Sequence, residues 1–221
     1  WLHHPAAPIT AGLAARRHAS HKGSFGDVLV IGGQGLQAGA AMQGAAILAA
    51  SAALHHGAGR VFLHLLDHGQ LQQLPQTPEI MLRNQVTALA QLPSSTVVCG
   101  CGGGSSVAAL LPKVLEHSAR LLLDADALNA IAADAMLRQR LKNRGAAGLP
   151  TVLTPHPLEA ARLLNSSVPA VQADRLTAAH TLANTLDCTV LLKGSGSIIA
   201  SPGEVPHINP TGNALLATGG T

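Results

Sequence analysis

Short runs of β-branched residues and leucine recur along the chain. Each gives way to a loop containing Gly or Pro and then to a stretch rich in Ala and Leu. Val28-Leu29-Val30-Ile31 is apolar throughout, which predicts a strand buried on both faces, and it runs into Gly32-Gly33. Residues 45–56 follow as a predicted helix, apolar nearly all round and therefore expected to be buried. Gly57-Ala58-Gly59 stops that helix, and residues 60–64 read as the next strand. The same alternation predicts strands over 96–99, 121–124, 151–154 and 189–193, and helices over 107–117, 127–133, 157–164 and 171–186. Pro157 and Glu159 suit a first helical turn, one lacking an N–H that has no use there and the other favoured by the helix dipole. Residues 197–200 and 205–208 read as a hairpin turning at Pro202-Gly203. Residues 65–95 give no clear period, being broken by Pro75, Pro78 and Pro93, and 138–148 reads as a solvated basic connection. Apolar strands alternating with helices predict an α/β fold, a mostly parallel sheet with helices on both faces. In such sheets ligands gather beyond the C-terminal ends of the strands.

Composition narrows the picture. At 221 residues, 47% hydrophobic and 11% charged, the chain holds enough apolar material for one domain with a sizeable core. Trp1, Phe25 and Phe62 are its only aromatic residues, so that core is aliphatic. The net charge of +3 comes from 14 scattered Lys and Arg against 11 Asp and Glu, with no basic run beside stacking aromatics, which argues against nucleic-acid binding and favours an anionic small molecule. Cys99, Cys101 and Cys188 make no disulfide framework, and Cys99-x-Cys101 lacks the second pair that a zinc site needs, so small buried apolar residues are expected there. The start, Trp1-Leu2-His3-His4-Pro5, does not read as a signal peptide, and the apolar stretch 44–54 falls short of the roughly 20 residues that span a bilayer. A reducing, cytoplasmic setting is expected, with no membrane partner.

The chemistry gathers after the predicted strands. There lie Gly32-Gly33-Gln34-Gly35, Gly100-Cys101-Gly102-Gly103-Gly104, Asp124-Ala125-Asp126, Thr154-Pro155-His156-Pro157 and Lys193-Gly194-Ser195-Gly196-Ser197. Glycine lets backbone N–H groups come close to a phosphate, and several such loops on one edge point to a ligand carrying more than one phosphate. No Gly-Lys pair exists, which excludes a Walker A loop. Gly33-x-Gly35-x-x-Ala38 matches the dinucleotide motif, but Gly39 and Gly44 extend the loop, position 53 is Ala and the next acid is Asp67, so a Rossmann dehydrogenase is disfavoured. His156 orients a strand–helix corner or meets a ligand. Lys193 ends an apolar strand, where a phosphate partner is the stronger reading. Asp124 and Asp126 either position Mg²⁺-bound water or cap a helix. Asn209 and Asn213 are turn formers or ligands.

In chain order, several segments together resemble the ADP/ATP-dependent NAD(P)H-hydrate dehydratases, a family with a ribokinase-like fold. They are 21–26 before Val28-Leu-Val-Ile-Gly-Gly33, Gly44-Ala-Ala, Gly57-Ala-Gly59, Leu123-Asp-Ala-Asp-Ala-Leu-Asn129, Leu153-Thr-Pro-His-Pro157, Leu191-Leu-Lys-Gly194 and Asn209-Pro-Thr-Gly-Asn213. The resemblance covers the chain from about His21. It implies a domain over 21–221 behind a linker over 1–20, and a repair reaction with ADP or ATP and Mg²⁺. The added hydroxyl of hydrated NADH or NADPH is phosphorylated and phosphate is eliminated. It further implies an epimerase, fused or separate, and a homo-oligomer is expected. By resemblance, Ala45, Gly102, His156, Asn209 and Asn213 line the substrate site. Lys193, Gly194, Ser195, Gly196 and Ser197 bind the adenine nucleotide, with Gly219, Gly220 and Thr221; metal ligands are not assigned.

The chain departs from the family pattern in places. Gly100-Cys-Gly-Gly-Gly104 stands for Gly-Pro-Gly-Leu-Gly, Leu158 stands for a glycine, and the loop between Gly33 and Gly44 is longer. In the family Gly-Gly-Thr continues as Gly-Asp, whose carboxylate is the expected base. That residue is expected just beyond Thr221, so no catalytic residue is assigned within the chain, and residues 1–221 alone are expected to be inactive or nearly so. The competing readings are another ribokinase-like kinase of a small alcohol and a non-catalytic nucleotide-binding module.

Overall fold

The computed structural model of the chain describes residues 18–36, 41–66 and 73–213. Among these, strands β1 (Asp27–Gly32), β2 (Arg60–Leu65), β3 (Met81–Leu82), β4 (Thr96–Cys99), β5 (Arg120–Leu123), β6 (Thr151–Leu153), β7 (Thr189–Leu192), β8 (Ser197–Ala200) and β9 (His207–Asn209) form one sheet. Its order is β3-β2-β1-β4-β5-β6-β7-β8-β9. β1 to β7 are all parallel, as the apolar strand runs predict, and β8 and β9 return antiparallel as the expected hairpin. The C-terminal ends of seven strands therefore share one edge.

Helices α1 (Gln43–His55), α2 (Gln85–Ala90), α3 (Leu111–His117), α4 (Asp126–Ala133), α5 (Ala135–Ala146), α6 (Pro157–Leu164), α7 (Val168–Ala173) and α8 (Arg175–Leu186) cover the two faces unequally. Alternation along each strand decides which residue goes where. Leu29, Ile31, Phe62, Val97, Cys99, Leu123, Leu153 and Leu192 join α2 to α8 in one large aliphatic core. Val30, Val61, Leu63 and Leu65 point the other way, into a smaller core with Ala46 and Ala50 of α1. Both are packed almost without aromatic rings, and alanine lets α1 lie close to the sheet. No helix among the described residues is long and apolar enough to cross a membrane.

Three expectations need correction. The helix at 43–55 is apolar all round yet not buried all round, with Leu48 53% exposed, because only the small core lies beneath it and nothing described covers its outer side. Of residues 138–148, 138–146 belong to α5, not to a solvated connection. Arg144 there is buried, its Nη1 donating to the carbonyls of Leu115 and Ser118 (2.8 and 2.7 Å) and its Nε to Thr151 (3.1 Å). A basic residue closing helix ends from inside looks, in sequence, like a solvated one. The long helix expected at 171–186 is two, because Asp174 leaves helical geometry and caps α8 by accepting from the Thr177 N–H.

Candidate active site

Asp124 follows β5 at the middle of the shared edge. Its Oδ1 accepts from Lys193 Nζ at the end of β7 and from Thr154 Oγ1 at the end of β6, both at 2.8 Å. Its Oδ2 faces the Cys101 thiol in the loop after β4, at 3.7 Å. One carboxylate thus ties together the exits of four strands. Burial first, then the charge of Asp124, pushes the Cys101 thiol up to about 12, so it stays protonated and donates. Asp126 does not cap its own helix; its Oδ2 accepts from the Gly104 N–H at 2.8 Å and fastens the glycine loop. Ala125 between the two aspartates sits at φ 49°, ψ −113°. Such a conformation costs a non-glycine residue on the order of 1–3 kcal/mol and here sends the two carboxylates to different partners.

On the β1 side the edge is backbone. Gly33 N–H donates to the Cys101 carbonyl (2.9 Å) and Gln34 N–H to the Gly102 carbonyl (2.6 Å), so the loop after β4 lies across the end of β1. Gly102 has φ 58°, and a Cβ there would stand 2.3 Å from the Met42 carbonyl oxygen and 3.2 Å from the Ala45 Cβ. Ala45 and Gly102, both expected in the substrate site, therefore touch, at the first turn of α1.

On the β7 side the edge is built of side chains. His156 caps α6: its Nδ1 accepts from the N–H groups of Leu158 and Glu159 (3.1 and 3.3 Å), while Glu159 Oε2 accepts from the His156 N–H at 2.8 Å. With Nδ1 an acceptor, the ring proton belongs on Nε2, 3.1 Å from Glu159 Oε1. Burial pushes the Glu159 carboxyl up, against the lowering influence of the His156 N–H, the His156 ring and Lys193. His156 is thus a corner residue with both nitrogens engaged, although its side chain remains 45% exposed. It sits beside Lys193, whose N–H donates to the Pro155 carbonyl at 2.8 Å.

Lys193–Ser197 is shaped by a residue that sequence reading passed over. Arg175, at the start of α8, donates Nη1 to the Ser195 carbonyl (2.6 Å) and Nη2 to those of Leu192 and Lys193 (both 3.3 Å). At Gly194, with φ 146°, a Cβ would be strained and would meet Arg175 Nη2 at 2.7 Å, so a side chain there would displace the guanidinium from the loop. Ser197 Oγ donates to the Gly194 carbonyl, closing the turn. Asn209 pairs with Ser197 across β8 and β9, and its Oδ1 accepts from the Thr211 N–H and hydroxyl (3.1 and 2.8 Å), so its turn-forming role is realised next to the loop. Asn213 lies in the exposed stretch after β9. Gly219, Gly220 and Thr221 lie outside the described residues. No group of three or more His, Cys, Asp or Glu that could hold a metal occurs among the described residues. Mg²⁺ commonly takes one or two carboxylates and completes its shell with phosphate and water, and Asp124, whose Oδ2 faces a thiol, fits that use.

A family model described as NAD(P)H-hydrate dehydratase matches residues 28–221. The chain belongs to the NAD(P)H-hydrate dehydratase family. It is 41% identical over 212 residues to the ADP-dependent (S)-NAD(P)H-hydrate dehydratase of Neisseria meningitidis, covering 94% of this chain and 69% of that relative. It is 38% identical to the bifunctional NAD(P)H-hydrate repair enzyme of Coxiella burnetii, of which it spans only 41%. Among solved structures, the ADP/ATP-dependent NAD(P)H-hydrate dehydratase of Bacillus subtilis, co-crystallised with ATP and Mg²⁺, superposes with a TM-score of 0.70 at 26% identity, covering 96% of this chain and 73% of that one. For this dehydratase-family chain the α/β, ribokinase-like fold is thereby established. Thr154 was legible as part of Thr-Pro-His-Pro, whereas nothing near Arg175 in sequence marks it.

Proposed function

We propose that the protein restores hydrated NADH and NADPH to NADH and NADPH, using ADP or ATP with Mg²⁺ to phosphorylate the added hydroxyl before phosphate leaves. The observation that carries this reading is the Lys193–Asp124 contact at 2.8 Å, which joins a glycine-lined half of the edge to a half suited to a nucleotide. The Lys193–Ser197 loop takes the adenine nucleotide, with Asn209 beside it. The Lys193 ammonium, 39% exposed, is free to turn from Asp124 to a phosphate oxygen. Ala45 and Gly102 receive the hydrated dinucleotide, whose phosphates meet glycine N–H groups, while His156 holds the rim between the two ligands and Asn213 extends it. Fixed donors aimed at developing phosphate charge are what phosphoryl transfer asks of a protein. Mg²⁺, when bound with the nucleotide, neutralises phosphate charge, and Asp124 is the carboxylate placed to hold it through its water shell. Gly219, Gly220 and Thr221 are included with the nucleotide site, and the base that accepts the hydroxyl proton is not assigned to a described residue. The bifunctional names of relatives are the reason to include an epimerase, fused or separate, among the proposed partners.

The test is recovery of reduced-nicotinamide absorbance when hydrated NADH meets full-length protein with ADP or ATP. Recovery that requires both nucleotide and Mg²⁺ is expected; no recovery with either nucleotide overturns the reading.

A further inference from the structure

Beyond β1, on the side away from the nucleotide loop, lies a cavity of about 540 Å³ at the C-terminal ends of β2 and β3. That size is within the roughly 300–1,000 Å³ usual for ligand sites. His64 and Arg83 come from the strand ends, Asn84 follows, and Ser106, Ala109 and Leu110 close it from the turn that continues out of Gly104. The cavity is therefore the continuation, along one edge, of the loop that holds Gly102.

Distance favours a single ligand reaching both. With strands about 4.8 Å apart, the cavity is two to three strand spacings from β4, roughly 10–14 Å, on the side opposite β7. A dinucleotide whose reacting ring sits at Gly102 has a second nucleoside beyond its pyrophosphate, and the cavity lies on the side of β4 that leaves Lys193–Ser197 to the adenine nucleotide. The cavity also carries a fixed cation. Arg83 lies 4.4 Å over the Phe62 ring, with Nη1 donating to the Leu82 carbonyl at 2.9 Å. Its own carbonyl is 3.1 Å from His64 Nδ1. No carboxylate pairs with Arg83 among the described residues, although Arg60 and Lys193 each have one. A guanidinium held in place by a ring and a carbonyl, with no carboxylate of the described residues beside it, is suited to a phosphate.

We propose that this cavity takes the adenosine end of the hydrated dinucleotide and that Arg83 meets the ribose 2′-phosphate that distinguishes hydrated NADPH from hydrated NADH. The inference rests on the proposed dehydratase reaction. The bond-making end of the substrate is remote, so the interaction is the same in ground and transition states and belongs in KM rather than kcat.

Two variants of the full-length protein test it. Ala109 is exposed at the mouth, so Ala109→Trp fills the opening without burdening the core; it is expected to raise KM for both hydrated dinucleotides about 10-fold, leaving KM for ADP alone. Arg83→Met, which keeps an apolar stem over Phe62, is expected to raise KM for hydrated NADPH about 10-fold more than for hydrated NADH. Binding of NADPH and NADH, followed by their own fluorescence, gives the same ranking without turnover, and a melting scan checks folding. Unaltered dinucleotide KM in Ala109→Trp, or equal effects of Arg83→Met on the two substrates, overturns the proposal. A wild-type protein that restores no reduced cofactor instead overturns the dehydratase reading itself, so the two failures are separable.

Discussion

At β1 and β4 the sheet edge is made of backbone: Gly33, Gln34, Cys101 and Gly102 bond to one another through N–H and C=O groups, and the side-chain atoms that a Cβ at Gly102 would meet are the Cβ atoms of Met42 and Ala45. From β5 to β7 it is made of ionisable side chains, with Asp124 paired to Lys193, His156 paired to Glu159 beside them, and Arg175 behind. The two halves face the same kind of anionic ligand but are vulnerable in different ways. A backbone cradle is indifferent to charge and intolerant of volume, since it works by close approach. A charged cradle accepts changes in size but not in sign.

Gly102→Ala is the harshest way to break that comparison. The added methyl would stand 2.3 Å from the Met42 carbonyl at a φ of 58°, so either the loop or the start of α1 must move. Displacement of a positioned group by an ångström costs about 100-fold in rate, and we expect kcat/KM for hydrated NADH to fall by that much. KM for ADP should change little, because Lys193–Ser197 lies three strands away. Steady-state kinetics with each substrate varied in turn checks this, and an equal loss on both substrates would mean the halves are not separate.

On the charged half, Lys193→Ala is expected to lower kcat/KM about 30-fold, and Lys193→Arg to keep more than half of what alanine loses, because the sign is preserved. Asp124 adds a control: with its partner removed, Asp124→Asn should cost less in the Lys193→Ala background than alone. A double-mutant cycle measures this coupling. Additive losses would show that the 2.8 Å contact does not join the two halves energetically.

The comparison also explains what could be read from the sequence. The backbone half and the parallel order were legible because apolar strand runs and clustered glycines are local signals, and Thr154-Pro155-His156-Pro157 marked its corner for the same reason. Two features were not legible. The burial of Arg144 and the clamp by Arg175 depend on carbonyls far away in sequence, Leu115 and Ser118 for one and Leu192 to Ser195 for the other, and an arginine on a helix looks solvated until its partner is seen. The outer face of α1 misled for the opposite reason, since composition tells that a helix is apolar but not how many sides are covered. His156, read from the sequence as a corner or a ligand contact, has its two ring nitrogens engaged by α6.

Arg175→Ala sharpens the picture within the charged half. The guanidinium touches the loop's carbonyls, and its Nε is buried with no partner among the described residues, so it acts as a positioning residue. KM for the nucleotide is expected to rise about 10-fold with kcat within about 3-fold, since a loosened loop weakens binding more than chemistry. Arg175→Lys, which can reach one carbonyl but not three, should recover only part of that loss. If KM for hydrated NADH rises as much as KM for ADP, the clamp serves the whole edge rather than the loop.

The smallest expected effect lies where the halves meet, at Cys101. Burial, with Asp124 behind it, holds the thiol up to about 12 from an ordinary value near 9, so at pH 8 it carries its proton and is a poor nucleophile. Native protein should therefore react with iodoacetamide at Cys101 far more slowly than unfolded protein, and the described residues hold no disulfide to complicate the readout. The linkage has a definite sign. The folded state keeps a proton that the unfolded chain gives up, so this stabilisation is fully present below about pH 9 and is lost as pH rises toward 12. Cys101→Ser keeps a donor toward Asp124 and should leave kcat/KM within about 2-fold while removing the Cys101 share of that alkaline loss. Rapid alkylation of native Cys101 at pH 8 would mean that the junction is open to solvent, and then Asp124 could not hold the glycine half and the charged half in one network.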